Sequence, residues 1–173
     1  MTTVTIRTLR HEDASALLDF ELQNRAWFAR HITARPADVY SPEGIVRHIE
    51  ECLNAYRQGT MHPSLLLDAS GVVLGRANLK DIDRAKASSE IGYRVAEQSA
   101  GGGLATQAVR HMQQVAREEW QLKMLEAYVT AHNPASARVL LKCGFRQGEY
   151  VEQLALVNGE MRDGHRYQYD LNG

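Results

Sequence analysis

The sequence predicts an α/β chain with a mixed, mainly antiparallel sheet of six to seven strands and helices on both faces. Three observations carry that prediction. Short β-branched or alternating runs recur and read as strands. Four longer stretches repeat apolar residues at helical spacing. Two turns, Ala69-Ser70-Gly71 and Asn158-Gly159, join consecutive strands as hairpins, so those pairs are antiparallel.

The elements follow in order. Residues 4–9, Val-Thr-Ile-Arg-Thr-Leu, alternate and form the first half-buried strand. His11-Glu12-Asp13 opens a helix through Asn24, with Ala14, Leu17, Leu18 and Leu22 on one stripe. Pro42 and Glu43 open a second helix, with Ile45, Ile49, Cys52 and Leu53 inward. Strands follow over residues 64–68, 72–81 and 88–96. In the last of these, Ile91, Tyr93 and Val95 share one face, and Ser88, Glu90, Gly92 and Arg94 the other. Leu104, Ala108, Met112, Val115 and Ala116 form the stripe of a helix that ends near Glu119, and residues 124–130 are a strand. Asn133-Pro134 starts a helix well, because Asn caps and Pro suits the first helical position. That helix stops at Gly144, and residues 145–157 and 161–171 close the chain as a hairpin.

Composition narrows the function classes. At 173 residues the chain is long enough for a sizeable core, and residues 1–173 are expected to form a single domain. With 44% hydrophobic and 24% charged residues it is globular rather than disordered. A net charge of −1 gives no general attraction to nucleic acid or anionic membranes. The N-terminal residues Met-Thr-Thr-Val-Thr-Ile-Arg lack a signal-like apolar run, and a cytoplasmic location is expected. Cys52 and Cys143 make no disulfide framework and read as small core residues. The seven histidines have no metal spacing, so no metal is expected.

The stretch Gln98-Ser-Ala-Gly101-Gly102-Gly103-Leu104-Ala105-Thr106 stands between a strand and a helix. Glycines there let a ligand approach the backbone, and the helix start presents unpaired N–H groups. Together they make an anion site, most often for phosphate. A flexible turn has the same composition. Two phosphate motifs are excluded. Leu104 and Ala105 follow the glycines where a nucleoside-triphosphate loop needs Lys and Ser or Thr. Thr106 stands where the dinucleotide fingerprint needs its third glycine.

The loop matches the Gln/Arg-x-x-Gly-x-Gly/Ala pattern of the GNAT superfamily of acetyl-CoA-dependent N-acetyltransferases. Three further segments resemble its RimJ/RimL type: Glu90-Ile91-Gly92-Tyr93, the run from Asn133-Pro-Ala-Ser136 to Gly144-Phe145, and the hairpin with Asn158-Gly159 and Arg162-Asp163. The specific resemblance covers residues 87–163; the first half agrees in layout and loosely around residues 21–32. It implies acetyl-CoA as cosubstrate, held by Arg94, Val95, Gln98, Gly101, Gly102, Gly103, Leu104, Ala105, Thr106, Asn133 and Ser136. It implies a backbone N–H near Arg94 or Val95 polarising the thioester.

Glu90 is the candidate general base, through a water, and Ser136 the candidate general acid for the thiolate. Each has a plainer reading: a solvent-facing strand residue for Glu90, and ordinary first-turn residues for Ser136 and the N-cap Asn133. Trp27, Phe28 and Tyr40, with Glu90, are candidates for the acceptor groove, and the aromatics suit core packing equally. The type implies a protein or peptide N-terminal amine as acceptor. A small-molecule amine (polyamine, amino acid or aminoglycoside) and a non-catalytic acyl-CoA-binding module are the alternatives. The chain is expected as a monomer or homodimer. The type often has an aromatic residue at the position of Arg94 or Val95 and a basic residue inside the loop. Here the variable loop positions Ser99, Ala100 and Gly102 are neutral, so phosphate binding would rest on backbone N–H groups.

Overall fold

Seven strands form one sheet, in the spatial order Thr5–Thr8, His62–Leu67, Val73–Asp83, Ser88–Val95, Met124–Thr130, Glu160–Asp170 and Arg146–Val157. A computed structural model of the chain describes residues 3–173, so the first two residues of the N-terminal segment lie outside it. The strands are β1 (Thr5–Thr8), β2 (His62–Leu67), β3 (Val73–Asp83), β4 (Ser88–Val95), β5 (Met124–Thr130), β6 (Arg146–Val157) and β7 (Glu160–Asp170). The helices are α1 (Ala14–Gln23), α2 (Arg25–Ala29), α3 (Pro42–Arg57), α4 (Leu104–Glu118) and α5 (Pro134–Lys142). Among the described residues, β4 and β5 pair in parallel and the other neighbouring strands pair antiparallel.

Helix α4 buries Leu104, Ala108, Met112 and Val115 against Leu79, Ile91 and Leu125 of the sheet. Each large apolar side chain withdrawn from water this way contributes roughly 1.5–3 kcal/mol. The opposite face packs α1 and α3 through Leu17, Phe20, Ile45 and Ile49 onto Leu65 and Leu67. Asn158 (φ 51°) and Gly159 (φ 80°) form the hairpin turn between β6 and β7. Two positive φ values match the strand twist, which is why Asn-Gly is favoured there.

The first helical region departs from the expectation. Its α-helical part begins at Ala14, after a 3-10 turn over His11–Asp13, and a separate short helix, α2, holds Trp27 and Phe28. The inward stripe is rotated: Leu17, Phe20 and Glu21 are buried, while Leu22 is 47% exposed. The reason lies across the molecule, where three arginines receive the Glu21 carboxylate.

Two features position a site. The β4/β5 ladder runs only from Ser88↔Met124 to Glu90↔Glu126. Beyond it the strands part, although β4 continues to Val95 and β5 to Thr130, and the facing backbone edges of 91–95 have no ladder partner there. The second feature is a polar face. Arg76 lies opposite Arg94, Asn78 opposite Gly92 and Lys80 opposite Glu90 across β3 and β4. The period of two turns all six toward α1 and α3.

Candidate active site

Two cavities adjoin at β4. The larger, about 610 Å³, reaches from the polar face of β3 and β4 to Tyr93, Val129, Ser136 and Leu140 on the side of α4 and α5. The smaller, about 450 Å³, lies between the glycine loop, α4 and α5. Tyr93, Arg94, Asn133 and Ser136 line both.

The smaller cavity has the chemistry of a phosphate cradle. Gly103 is the residue before α4, with φ at +81° and no side-chain cap on the helix. Its left-handed angle turns the chain sharply, and the first N–H groups of α4 are left for a ligand. A Cβ built on Gly101 or Gly103 would meet nothing within 4 Å, so the space over both is open. Leu104, Ala105 and Thr106 complete this wall, and Val95 closes the strand side. Arg138 and Lys142 of α5 add two positive charges. These supply the cations that the neutral loop lacks, and no sequence expectation included them. Gln98 is exposed in the 3-10 turn Glu97–Ser99, and neither it nor Gly102 is among the residues lining this cavity.

Asn133 caps α5, its side-chain oxygen accepting from Ser136 N at 3.4 Å. The Ser136 hydroxyl meets the Tyr93 hydroxyl at 2.7 Å. Tyr93 also donates to the Ser136 carbonyl at 3.2 Å. Burial pushes the Tyr93 phenol up to about 12, so it stays protonated at any working pH.

In the larger cavity, Lys80 Nζ lies 3.3 Å from Glu90 Oε1, and Glu90 is 27% exposed. A Cβ on residue 92 would lie 3.1 Å from Lys80 Cε, so glycine there leaves room for the lysine stem. At the other end Glu21, fully buried, accepts from three arginines. Arg76 Nη1 lies 3.0 Å away, Arg35 Nε 3.1 Å and Arg94 Nη1 3.2 Å. Burial alone would raise the Glu21 carboxyl, but Arg94, Arg35 and Arg76 outweigh it and hold it below the usual range. Arg76 also donates to His48 Nε2 at 2.9 Å. Burial, then Arg76 and Arg35, lower His48 to about 3, so it accepts as a neutral ring. Burial, then Arg35, pull Arg94 down to about 9, which still leaves it charged near neutrality.

The expected acceptor group is divided. Glu90 lines the larger cavity, whereas Trp27 and Phe28 line the smaller one. Phe28 is buried against Phe20, with the Arg94 guanidinium 4.7 Å above its ring. Tyr40 lines neither cavity, because Arg25 covers its ring at 3.9 Å. Val39 is buried beside it in the 3-10 turn before α3.

The chain matches the acetyltransferase (GNAT) domain family over residues 3–146. It is 29% identical over 163 residues to the probable N-acetyltransferase YjcK of Bacillus subtilis (strain 168), covering 93% of this chain and 90% of that protein. Its fold is similar to the ribosomal-protein-S5-alanine acetyltransferase of Vibrio fischeri, with a TM-score of 0.93 at 18% identity over 99% of this chain and 97% of the other. It is also similar to the spermidine N-acetyltransferase of Vibrio cholerae in complex with CoA and spermine, with a TM-score of 0.83 at 18% identity over 98% and 96%. Among the described residues, no helix is long and apolar enough to cross a membrane.

Proposed function

The chain belongs to the acetyltransferase (GNAT) domain family and is an acetyl-CoA-dependent N-acetyltransferase, and from that premise we propose that its acceptor is the N-terminal α-amine of a protein or peptide. One observation carries this reading: Glu90 and Ser136 line the same cavity at β4, and Ser136 with Tyr93 also lines the smaller one, beside the parting of β4 from β5. An amine over the polar face and a thioester in the parting then meet at one strand.

When bound, acetyl-CoA supplies an activated acetyl group as a thioester. Glu90 takes a proton from the acceptor ammonium, through a water, leaving the nitrogen lone pair free to form the amide bond. A β4 backbone N–H near Arg94 or Val95 donates to the carbonyl oxygen as charge develops on it. As the amide forms, the nitrogen passes its surplus proton to Ser136 while Ser136 gives its own proton to sulfur and the carbon–sulfur bond breaks, so the serine ends as it began. Tyr93 donates to the Ser136 carbonyl, and its hydroxyl oxygen lies within hydrogen-bond reach of Ser136 Oγ, which orients the serine for that transfer. The N–H groups that open α4, with Arg138 and Lys142, hold the phosphates. Trp27 and Phe28 belong to this cofactor side and Glu90 to the acceptor side.

A peptide is favoured over a compact amine by the length of the polar face, which runs from Lys80 and Glu90 to Arg76 and Arg94. A cytoplasmic location is part of the same proposal; both cysteines are free and buried. The test is an acceptor screen of N-terminal peptides against polyamines and amino acids, read by thiol release. Turnover confined to the small amines contradicts the peptide assignment.

A further inference from the structure

Arg76 and Arg94 lie directly opposite each other on β3 and β4. Like charges so placed repel. A single carboxylate, Glu21, serves both of them and Arg35 as well. The larger cavity therefore carries an uneven charge. Arg35, Arg76, Lys80 and Arg94 line it, with Glu90 as the one lining carboxylate. Adding Glu21 beneath them, four positive charges meet two negative ones, an excess of two. His48 is neutral and adds nothing to it. Arg76 is 2% exposed, and its Nε has no hydrogen-bond partner in the chain. Arg35 and Arg94 each reach Glu21 through one nitrogen, so further donors remain on both guanidinium groups. A concave site with such a surplus draws in anions and repels cations.

We infer that the acceptor amine carries an anionic group, a carboxylate or a phosphate, which Arg35, Arg76 and Arg94 receive while Glu90 receives the amine. This rests on the proposed function, in which Glu90 faces the amine. Glu90 and Arg94 are four residues apart on β4, about 13 Å at ~3.3 Å per residue. The anion is thus set well away from the amine. An acidic side chain at the third residue of an extended peptide comes nearer to that spacing than one at the second, its carboxylate about 10 Å from the α-amine at ~3.3 Å per residue. The carboxylate of a free α-amino acid, two bonds from its nitrogen, does not. A polyamine would bring further cations to a cationic surface.

The test uses peptides of one sequence whose second and third residues are acidic, their amides, or lysine, with spermidine and O-phosphoethanolamine as small amines. Thiol release from acetyl-CoA at low salt gives kcat/KM for each. The acidic peptide is expected to exceed its amide by about tenfold or more, with the lysine peptide lower still. Arg35 is 19% exposed, the most accessible of the three arginines, and Arg35→Gln is expected to bring the acidic-to-amide ratio toward one. If that variant does not fold, raising the salt on the unmodified enzyme reads the same ratio, which is expected to fall. Peptides acetylated equally whatever their charge would overturn this inference and leave the proposed function standing. Turnover of O-phosphoethanolamine without any peptide would support the anion and overturn the peptide. A preference for spermidine would overturn both.

Discussion

The hydroxyl groups of Tyr93 and Ser136 lie 2.7 Å apart, joining β4 to α5 beside the opening between β4 and β5. Neither residue is held there by its own element alone. Tyr93 points from β4 toward the α4 side, and Asn133 fixes the first turn of α5. If Ser136 protonates the departing sulfur, Ser136→Ala lowers kcat by roughly 10²-fold. Tyr93→Phe lowers it in the same direction and by less, because the serine keeps its proton but loses its orientation. In both, KM for acetyl-CoA stays within about threefold, since the phosphates rest on the α4 N–H groups, Arg138 and Lys142. Steady-state thiol release checks this; an unchanged kcat in both variants removes the pair from the mechanism.

Glu90→Gln keeps the shape of the side chain and removes the base. Turnover at neutral pH is expected to fall by roughly 10²-fold. Much of it returns above about pH 8, where an α-amine loses its proton unaided. The melting-temperature rise on adding acetyl-CoA is unaffected, because Glu90 lines the acceptor cavity rather than the cofactor cleft. A pH–rate profile that merely scales down at every pH would exclude a proton-accepting role.

Glu21→Gln leaves three guanidinium groups without their carboxylate. Removing one partner from a buried ion pair costs about 3–5 kcal/mol. For a chain of this size, that lowers Tm by on the order of 10 °C. A thermal melt checks it. A loss below about 1 kcal/mol would mean that the cluster is solvated in solution.

Arg138 and Lys142 are exposed on α5 and line the smaller cavity, the one proposed to hold the cofactor. Replacing both by Ala is expected to raise KM for acetyl-CoA by about tenfold, more at low salt than at high salt. Stability should change little. A KM that does not move would return phosphate binding to the backbone N–H groups alone.

His48 sets a direction for acid stability. Folded, burial and then Arg76 and Arg35 hold it near 3; unfolded, it titrates near 6.5. Between those values the unfolded chain binds a proton that the folded chain refuses. Stability is therefore highest above about 6.5 and falls as pH drops toward 3. Asp13 adds to the fall at lower pH: burial raises its carboxyl, but Arg7 and the Arg10 backbone outweigh that and hold it down. Urea melts at several pH values check the slope. His48→Gln, whose carbonyl can still accept from Arg76, should flatten it above the carboxylate range.

Periodicity and turn chemistry made most elements legible in the sequence. The Asn133 cap, the Gly103 turn and the Asn158-Gly159 hairpin are local signals that depend on neighbouring residues. Glu90 was legible because the period of two separates it from Ile91 and Tyr93. Glu21 was not, because a buried carboxylate looks like any helical Glu until its partners are known. Those partners, Arg35, Arg76 and Arg94, lie 14, 55 and 73 positions away. The same distance hid the Tyr93–Ser136 contact, 43 positions apart. Leu22 looked inward because a hydrophobic stripe was assumed, whereas the buried stripe contains a charge. Arg138 and Lys142 have the spacing of one helix face, four residues apart, but nothing local to them marks that face as a cleft wall.

The central claim is that this enzyme acetylates an amine held over β4. Incubation with acetyl-CoA and an N-terminal peptide, reading released thiol together with the mass of the peptide, tests it most directly. Thiol and N-terminally acetylated peptide should appear one for one, and blocking the α-amine should abolish both. Thiol release that leaves the peptide unmodified, or that continues unchanged with the amine blocked, would contradict it.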